Sequence, residues 1–370
     1  MAPPPRTIRA LIRKDSEREG SVAARDIRRG VGVTIALAAG LVTSVAAFAA
    51  HTQFFAPFTS GSDIYTSFTS DSGNAGPLGL LDDGTHFFVA DNANGTLYRF
   101  ASGMTGNAGS PQASAHDGLG MGLAFTNGGY YGLSRGGPVP AGLYRFNPTT
   151  LALTTSTPLV SIPGTLDDLT RDPVTGDLYA SSTSGIYHIS GLGGAHPTRS
   201  TFVTGDFDGM IFSPDGNVLY AASRGGSTAG HVVGFTRGGS PNGFDVNENG
   251  EGPDGITVAP PATKVNGVDV SNNVFVNEND GQVDRIDVNH GNAVTTVASG
   301  GTRGDFTTVG SDGCLYVTQT TTVEKLRPCF FEPTVNIPET PLVVGLPVAA
   351  LIGLLGWGAS RRRRGSPTRR

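Results

Sequence analysis

The stretch FDGMIFSPDGNVLYAAS, residues 207–223, contains two short apolar and aromatic runs on either side of the dipeptide Asp215-Gly216. Asp-Gly between two such runs is a strong signal for a tight turn between antiparallel strands. A further apolar run, VVGF at residues 232–235, follows after a glycine-rich loop. This part of the chain therefore predicts at least three consecutive antiparallel strands.

The same pattern recurs along most of the chain. A four-residue segment with apolar ends occurs six times, at spacings of 46, 43, 46, 51 and 40 residues: 97–100, 143–146, 186–189, 232–235, 283–286 and 323–326. An aromatic or β-branched run precedes each of them: 87–89, 130–132, 178–180, 219–221, 274–276 and 315–317. A period of about 45 residues with room for four strands is typical of a propeller blade.

We therefore predict an all-β fold, a six-bladed β-propeller with four-stranded blades, over residues 51–330. A seven-bladed propeller, with more strands from residues 51–75, and a pair of β-sandwiches are the alternatives. The regular spacing disfavours the sandwiches. Residues 63–68 (DIYTSF) are expected to supply the outer strand of the sixth blade, because this pairing closes the ring and removes an exposed edge.

The two cysteines, Cys314 and Cys329, are expected to form a disulfide. Strands at residues 314–319 and 323–328 would form a hairpin around Thr321, with facing partners whose numbers sum to about 642–643. Facing residues in an antiparallel pair have Cα atoms about 4.5–5.5 Å apart, which a disulfide can bridge. Two buried free thiols are the alternative.

The N-terminal residues have the features of an export signal. Residues 31–50 (VGVTIALAAGLVTSVAAFAA) carry no charge and follow Arg25, Arg28 and Arg29. A basic region, an apolar stretch and small residues at a cleavage site describe a secretory signal. We expect residues 1–50 to be a signal peptide with a long basic n-region, and an uncleaved anchor is the alternative.

The C-terminal residues predict membrane attachment. Residues 342–358 are almost wholly apolar, and four arginines follow at residues 361–364. Such a segment can just span a bilayer, and arginine clusters prefer the cytoplasmic side. We expect a linker with a sorting motif at 331–341, a transmembrane helix at 342–358 and a basic cytoplasmic tail at 359–370. The body would then lie outside the membrane, on the cell surface or anchored to it.

A short Pro-Glu motif followed by an apolar helix and an arginine cluster resembles two bacterial sorting tails. They are the PEP-CTERM signal, read by exosortase-type enzymes, and the LPXTG sortase signal. The motif here consists of Ile337, Pro338, Glu339, Thr340 and Pro341, which departs from LPXTG at both ends. We therefore prefer a PEP-CTERM-like signal, with a plain membrane anchor as the alternative.

The body between the ends is strongly acidic. The chain has a formal charge of −5, but residues 1–30 and 341–370 hold 14 of its 26 basic residues. The remainder, with 12 basic and 27 acidic residues, is near −15. This charge disfavours nucleic-acid binding, which depends on neutralising phosphates. It suits cation binding or solubility.

The segments FDGMIFSPDGNVLYAAS (207–223), PDGITV (253–258) and GDFTTVGSDGCLYVTQ (304–319) resemble the NHL and SMP-30/gluconolactonase-like group of six-bladed propellers. The resemblance is architectural, and one fold hosts many functions. For the enzymes of this group, it implies a divalent ion near the start of the innermost strands. Those enzymes mix Glu, Asn and Asp ligands.

Four blades begin their innermost strand with an acid: Asp167 with Asp168, Asp208, Asp254 and Asp305. We expect these carboxylates to ring one mouth of the central channel. Crowded carboxylates repel unless a cation relieves them, and their oxygens suit a hard ion such as Ca²⁺. The alternative is that each aspartate caps a turn.

A second candidate for calcium lies between the fourth and fifth units. Asp245, Asn247 and Asn249 match the first half of a D-x-[DN]-x-[DN]-G calcium loop, but Ile256 stands where the distal Glu belongs. A solvated glycine- and asparagine-rich loop is the alternative. The cofactor prediction is thus Ca²⁺ or another divalent cation at one of these two places, or none.

Three hypotheses for function remain. The first is a surface-displayed binding module that presents loops to a protein, glycan or small ligand without chemistry. The second is a metal-dependent hydrolase or lactonase of the SMP-30-like type. The third is a lyase of the virginiamycin-type propeller group. The chain contains one G-x-S-x-G match at 132–136, but no helix is expected after it, as a nucleophile elbow requires. The sequence therefore leans against an enzyme.

Overall fold

The computed structural model describes residues 51–65, 68, 76–102, 111–194, 196–248 and 252–331. The expected signal peptide, sorting motif, transmembrane helix and basic tail fall on residues 1–50 and 332–370, outside the described residues. Within the described ranges, no helix is long and apolar enough to cross a membrane.

The described residues form the six sheets of a β-propeller, as the repeat spacing predicts. Two strands come before the first blade: β1 (Gln53–Phe54) and β2 (Ser60–Tyr65). Blade 1 contains β3 (Pro77–Asp82), β4 (His86–Asp91), β5 (Thr96–Ala101) and β6 (Ala113–Ala115). Blade 2 contains β7 (Leu123–Thr126), β8 (Gly129–Ser134) and β9 (Gly142–Phe146). Blade 3 contains β10 (Leu166–Arg171), β11 (Leu178–Ser182), β12 (Gly185–Ser190) and β13 (Thr198–Thr204).

The remaining blades follow the same order, from the innermost strand outwards. Blade 4 contains β14 (Phe207–Phe212), β15 (Val218–Ser223), β16 (His231–Thr236) and β17 (Pro241–Asn247). Blade 5 starts with β18 (Pro253–Val258), and a small hairpin of β19 (Lys264–Val265) and β20 (Val268–Asp269) follows it. Blade 5 continues with β21 (Val274–Glu278), β22 (Val283–Asp287) and β23 (Ala293–Ser299). Blade 6 contains β24 (Thr307–Val309), β25 (Leu315–Thr318) and β26 (Val323–Arg327).

The ring closes through a strand from the beginning of the propeller. β2 pairs antiparallel with β26, from Ser60 opposite Arg327 to Tyr65 opposite Val323, and becomes the outer strand of blade 6. The predicted closure is confirmed, although the strand starts three residues earlier than residues 63–68. A strand that was not predicted, β1, pairs with β23 and adds a fifth strand to blade 5. Phe87 of blade 1 packs against Tyr316 of blade 6, with ring centroids 4.7 Å apart.

The turn that marked the repeat has the expected chemistry. Gly216, between β14 and β15, has a φ of 71°, a left-handed conformation that costs glycine little. The side chain of Asp215 accepts hydrogen bonds from the Ser213 hydroxyl at 2.6 Å and from the Asn217 N–H at 3.1 Å. These local bonds hold the turn and fix the register of the hairpin.

Blade 2 departs from the four-stranded pattern. Its fourth-strand position is reduced to two isolated bridges, Leu143 with Val160 and Phe146 with Leu153. The connecting segment contains Pro148, Pro158 and Pro163. Proline lacks the N–H that a ladder requires, and this disfavours a continuous strand here.

The innermost strands of blades 1, 3, 4 and 5 share an irregularity near their first residues. The pairing of β3, β10, β14 and β18 shifts register there. A bulge of this kind changes the direction in which a side chain points. The bulged positions include Leu78, Asp167, Asp208 and Asp254, so three of the four predicted acids lie at a bulge.

Glycines next to these positions allow the inner strands to approach closely. A Cβ on Gly209 would lie 2.2 Å from the carbonyl oxygen of Asp254. A Cβ on Gly255 would lie 2.2 Å from that of Asp305. Side chains at these positions would push neighbouring blades apart. The Asp-Gly dipeptides of blades 4 and 5 therefore combine an acid for the channel mouth with a contact between blades.

The disulfide Cys314–Cys329 is present, with Cα atoms 4.0 Å apart. The register of the hairpin differs from the predicted one. Leu315 faces Leu326, and the residue numbers of each facing pair sum to 641 instead of 642–643. Cys329 therefore lies beyond β26, where the N–H of Phe330 donates to the carbonyl of Gly313 at 2.6 Å and brings the chain back. The predicted bond is confirmed, but its route is a short return of the chain rather than a facing pair of strand residues.

Candidate functional site

The four predicted acids come together at one mouth of the channel. Asp167, Asp208 and Asp254 are the second residues of β10, β14 and β18, and Asp305 lies just before β24. All four are almost fully buried. Coulombic repulsion from Asp208 acts on each of the other three, so the carboxylates form one interacting group. We call these four residues the aspartate ring.

Two arginines hold the blade 3 side of the aspartate ring. Arg224 follows β15 and donates from Nη2 to Asp167 at 2.6 Å and from Nη1 to Asp208 at 2.7 Å. Arg135 follows β8 and donates from Nη2 to the other oxygen of Asp167 and from Nε to the carbonyl of Leu166 at 2.6 Å. Both oxygens of Asp167 are therefore bound to guanidinium groups from the neighbouring blades.

A third arginine holds the other side of the aspartate ring. Arg303 donates from Nη2 to Asp305 at 2.9 Å and lies 3.5 Å from Asp254. Burial, followed by repulsion from Asp208, raises the pKa of Asp254 well above its usual value. Burial also raises the pKa of Asp305 to about 6, although Arg303 acts in the opposite direction. A proton is thus held among these carboxylates more tightly than in water.

The pKa of Asp167, the acid of blade 3, is raised as well. Burial and then repulsion from Asp208 raise the pKa of Asp167 to about 7, against the opposing effect of Arg135 and Arg224. Burial lowers the pKa of Arg224, but the attraction of Asp208 and Asp167 outweighs it, so the net shift is upward. The three arginines supply the positive charge that a divalent ion was expected to provide. Metal binding by the aspartate ring stays a prediction, and an ion there would have to displace Arg224.

Asp168 does not belong to the aspartate ring. Its carboxylate accepts hydrogen bonds from the N–H of Leu169 at 2.7 Å and from the N–H of Met210 in blade 4 at 2.8 Å. It thereby ties the innermost strands of blades 3 and 4 together. Asp168 therefore fits the alternative given for the predicted acids, namely an aspartate that caps the backbone.

A polar cavity of about 300 Å³ lies beside the mouth, between blades 1 and 2. Arg135 lines it together with Asn92, Asn94 and His116. Arg135 is part-exposed, and among the described residues its Nη1 has no partner. A guanidinium in such a position can bind a carboxylate or a similar oxyanion. We call this cavity the Arg135 pocket.

A separate cavity of about 200 Å³ lies in the channel itself. It is lined by residues from all six innermost strands, and most of them are apolar. They include Leu80, Leu123, Met210, Ile256 and Phe306. Its polar residues are Asp168, Arg171 and four threonines, so the mouth, with its four carboxylates and three arginines, is the better candidate for function.

The predicted calcium loop takes a different shape. Asp245 and Asn247 lie in β17. This strand pairs with β16 as far as Asn247, which faces His231. Asp245 is half-exposed and pairs with His231 at 2.5 Å. Asn249 lies outside the described residues. Calcium binding by Asp245, Asn247 and Asn249 stays a prediction, but a strand lacks the curl of a calcium loop. Glu248, between two of them, is buried.

The serine of the G-x-S-x-G match closes a turn. Ser134 is fully buried, and its Oγ accepts a hydrogen bond from the N–H of Gly136 at 3.1 Å. A strand and a loop surround it, without the helix of a nucleophile elbow. This residue holds the turn that presents Arg135.

The arginines were missed because single arginines in loops carry no motif of their own. A signal did exist, since Ser134-Arg135-Gly136 and Ser223-Arg224-Gly225 both begin with the last residue of the second strand of a blade. The repeat of this tripeptide at the same place in blades 2 and 4 could have paired these arginines with the acids of blade 3.

No protein-family model and no curated protein matches the chain. Solved structures do match it. A gluconolactonase from Xanthomonas campestris is 14% identical, with a TM-score of 0.51 over 72% of this chain and 88% of that one. The calcium-binding protein regucalcin from Agrobacterium tumefaciens is 17% identical, with a TM-score of 0.51 over 72% of this chain and 97% of that one. At these identities the likeness shows that this chain shares the propeller fold of gluconolactonase and regucalcin.

Proposed function

We propose that the protein is a binding module displayed outside the cell membrane, and that it takes an acidic ligand in the Arg135 pocket. The observation that carries the proposal is the fixed guanidinium at the edge of that pocket. Asp167 and the carbonyl of Leu166 hold Arg135 from behind, and its part-exposed side chain lines the cavity. A donor held in place before binding loses little entropy when the ligand arrives.

The size and lining of the pocket favour a small sugar acid. A volume of about 300 Å³ is at the lower end of the range for small-molecule sites. Asn92, Asn94 and His116 add polar groups that can meet hydroxyls. We therefore commit to a carboxylate-bearing monosaccharide, free or at the end of a glycan, rather than to nucleic acid.

The placement outside the membrane rests on the two ends of the chain and on the cysteines. The apolar segments at 31–50 and 342–358 have basic flanks on what would be the cytoplasmic side. The disulfide Cys314–Cys329 suits an oxidising compartment. The C-terminal helix would attach the propeller to the membrane or deliver it to a sorting enzyme.

Calorimetry tests the ligand. The full chain, purified in mild detergent, is titrated with glucuronate, galacturonate and sialic acid, and with glucose and galactose as matched neutral sugars. We expect at least one acid to bind and its neutral counterpart to bind at least tenfold more weakly. Arg135→Met should abolish the difference, because the guanidinium that reads the carboxylate is lost.

Arg171→Met is the matched control, since Arg171 is exposed at the far end of β10 from the mouth. It should leave binding unchanged. Equal binding of acidic and neutral sugars, or an Arg135→Met variant that binds as the wild type does, would overturn the proposed ligand class. Protease accessibility of the propeller in intact cells tests its placement outside the membrane.

A metal-dependent lactonase is the second candidate. The aspartate ring at the mouth and the fold shared with gluconolactonase favour it. Against it stands Arg224, which binds two of the four carboxylates that an ion would need. Hydrolysis of glucono-δ-lactone in the presence of Ca²⁺, Mn²⁺ or Zn²⁺, lost in Asp208→Asn, would establish this function over the binding module.

A further inference from the structure

Three buried carboxylates meet where blade 4 ends and blade 5 begins. Glu248 directly follows β17, Glu278 is the last residue of β21, and Asp284 is the second residue of β22. One carboxylate oxygen of each lies within 4.8 Å of one oxygen of the other two. We call these three residues the acidic triad.

The oxygens of the acidic triad lack partners. Both oxygens of Glu248, Oε1 of Glu278 and Oδ1 of Asp284 are buried without a hydrogen bond to any described residue. None of the three residues is more than 6% exposed. A buried carboxylate without a partner is costly, so these atoms point to a group that the chain does not itself supply.

The charged groups around the acidic triad increase the repulsion. Burial, then Asp284, raises the pKa of Glu248 to about 8. Burial, then Asp284, Glu248 and Asp280, raises the pKa of Glu278 to about 9. Burial raises the pKa of Asp284, Thr296 lowers it and the charge of Asp280 raises it further. No arginine or lysine is among the charges that act on these three described groups.

The aspartate ring of the same molecule provides the comparison. There, each buried acid is paired with a guanidinium from a neighbouring loop. In the acidic triad the equivalent positive charge is not provided by the described residues. Protonation of all three carboxyls would relieve the repulsion, but it would still leave buried oxygens without hydrogen-bond donors.

We propose that Glu248, Glu278 and Asp284 bind a divalent cation of the calcium class, which links blade 4 to blade 5. Ca²⁺ binds oxygen ligands at about 2.3–2.6 Å, so ligands on opposite sides of the ion are about 4.6–5.2 Å apart. The separations of up to 4.8 Å within the acidic triad fit one coordination sphere. Water and nearby carbonyl oxygens complete the six to eight ligands that Ca²⁺ takes.

Mg²⁺ fits this arrangement less well. It requires near-ideal octahedral geometry and gives up its own water reluctantly, so all-protein cages seldom hold it. A buried set of three carboxylates, brought together from two blades, suits the larger and more tolerant ion. Zinc prefers nitrogen and sulfur ligands, and the acidic triad supplies neither.

The position of the ion gives it a structural role next to the mouth. Glu278 pairs across the sheet with Pro253, the residue before Asp254 of the aspartate ring. The carbonyl of Glu278 also accepts hydrogen bonds from the N–H groups of Gly281 at 3.0 Å and Gly304 at 3.1 Å. An ion held by Glu278 would therefore stabilise the β21–β22 turn and the start of β18 together.

Calcium titration of the full chain in mild detergent tests the proposal. The protein is stripped with EDTA, exchanged into metal-free buffer and titrated with CaCl₂ and, separately, MgCl₂ by calorimetry. We expect one Ca²⁺ per chain and binding of Mg²⁺ at least tenfold weaker. Saturating Ca²⁺ should raise the melting temperature by several degrees, because a ligand that binds only the folded state stabilises it.

The variants Glu248→Gln and Glu278→Gln keep the shape of the side chain and remove its charge. Each should weaken Ca²⁺ binding at least tenfold and abolish most of the shift in melting temperature. In metal-free buffer each should melt at or above the wild-type temperature, because one repulsive charge is gone. This second measurement shows that a loss of binding does not come from unfolding.

Asp269→Asn is the matched control. Asp269 is exposed on β20 and belongs to none of the candidate calcium sites, so its variant should bind Ca²⁺ as the wild type does. Retained Ca²⁺ binding in both Gln variants, or no Ca²⁺ binding by the wild type, would overturn the proposal. Arg135→Met should keep full Ca²⁺ binding, which separates this test from that of the sugar-acid pocket.

Discussion

Nη2 of Arg224 lies 2.6 Å from Oδ2 of Asp167, so a side chain of blade 4 neutralises a buried carboxylate of blade 3. The same guanidinium reaches Asp208 in its own blade at 2.7 Å. One arginine thus bridges two neighbouring blades at the mouth of the channel. Such bridges hold the aspartate ring together. Removal of one of them should therefore lower the stability of the whole propeller.

Arg224→Met should lower the free energy of unfolding by about 2–4 kcal/mol, because it removes the guanidinium partner of buried Asp208 and leaves buried Asp167 with Arg135 alone. Chemical denaturation at pH 7.5 measures the loss. The triple variant Arg224→Met, Asp167→Asn, Asp208→Asn should recover much of it, and Arg171→Met should be close to neutral. A loss for Arg224→Met no larger than that for Arg171→Met would show that the bridge does not hold the blades.

Stability should fall as the pH rises from about 5 to 8. Burial raises the pKa values of Asp167 and Asp168 to about 7, far above the usual value of an aspartate. The folded state therefore binds protons that the unfolded state releases near pH 4, and the stabilisation is lost as the pH passes through about 7. Melting temperatures at pH 5, 6, 7 and 8 should decrease by several degrees in total.

Asp254→Asn provides the control for the pH dependence. Asparagine imitates a protonated Asp254, whose pKa burial and Asp208 raise well above its usual value. The variant should fold and show a shallower dependence of melting temperature on pH. A wild-type profile that is flat or rises towards pH 8 would contradict the raised pKa values.

Loss of the disulfide should destabilise the last blade. Cys314 and Cys329 are 15 residues apart, and closure of a loop of this length contributes about 3 kcal/mol. The double variant Cys314→Ala, Cys329→Ala should therefore lower the free energy of unfolding by about 2–4 kcal/mol. Dithiothreitol should reproduce the loss in the wild type and have no effect on the double variant, where an effect would implicate something other than this bond.

Gly255→Ala should damage the contact between blades 5 and 6. The added Cβ would lie 2.2 Å from the carbonyl oxygen of Asp305 and 2.4 Å from Cα of Phe306, and both are backbone atoms. Overpacking of this kind costs about 3 kcal/mol. Gly193→Ala is the matched control, because its Cβ would have no neighbour within 4 Å. Similar denaturation midpoints for the two variants would contradict the close approach of the inner strands.

The architecture could be predicted because local signals repeat. The apolar four-residue segments at 97–100 and five later places correspond to β5, β9, β12, β16, β22 and β26. The closure by β2 followed from the need to cover an edge. The reduced fourth strand of blade 2 and the extra strand β1 were harder to predict, because they depend on prolines and on long-range pairing rather than on the repeat.

The site was predictable only in part. The repeat placed Asp167, Asp208, Asp254 and Asp305 in equivalent positions, so their meeting at the mouth followed from symmetry. Their counter-ions did not, because Arg135, Arg224 and Arg303 lie in loops whose direction the sequence pattern does not define. Glu248 could not be predicted for the same reason. The calcium-loop motif points to its neighbours Asp245, Asn247 and Asn249, and only the structure shows that Glu248, at the end of β17, is buried.

The pairing of β2 with β26 also determines how the propeller bears tension. Ser60, where the chain enters β2, faces Arg327, where it leaves β26. A force applied to the chain on both sides of this pair would therefore separate the paired residues of β2 and β26 one after another, rather than all at once. The bond from Cys329 back to Cys314 transfers a pull from the C-terminal side to the loop before β25, so β26 itself carries little of the load. On the other side, β1 anchors the chain to blade 5 before the force reaches β2.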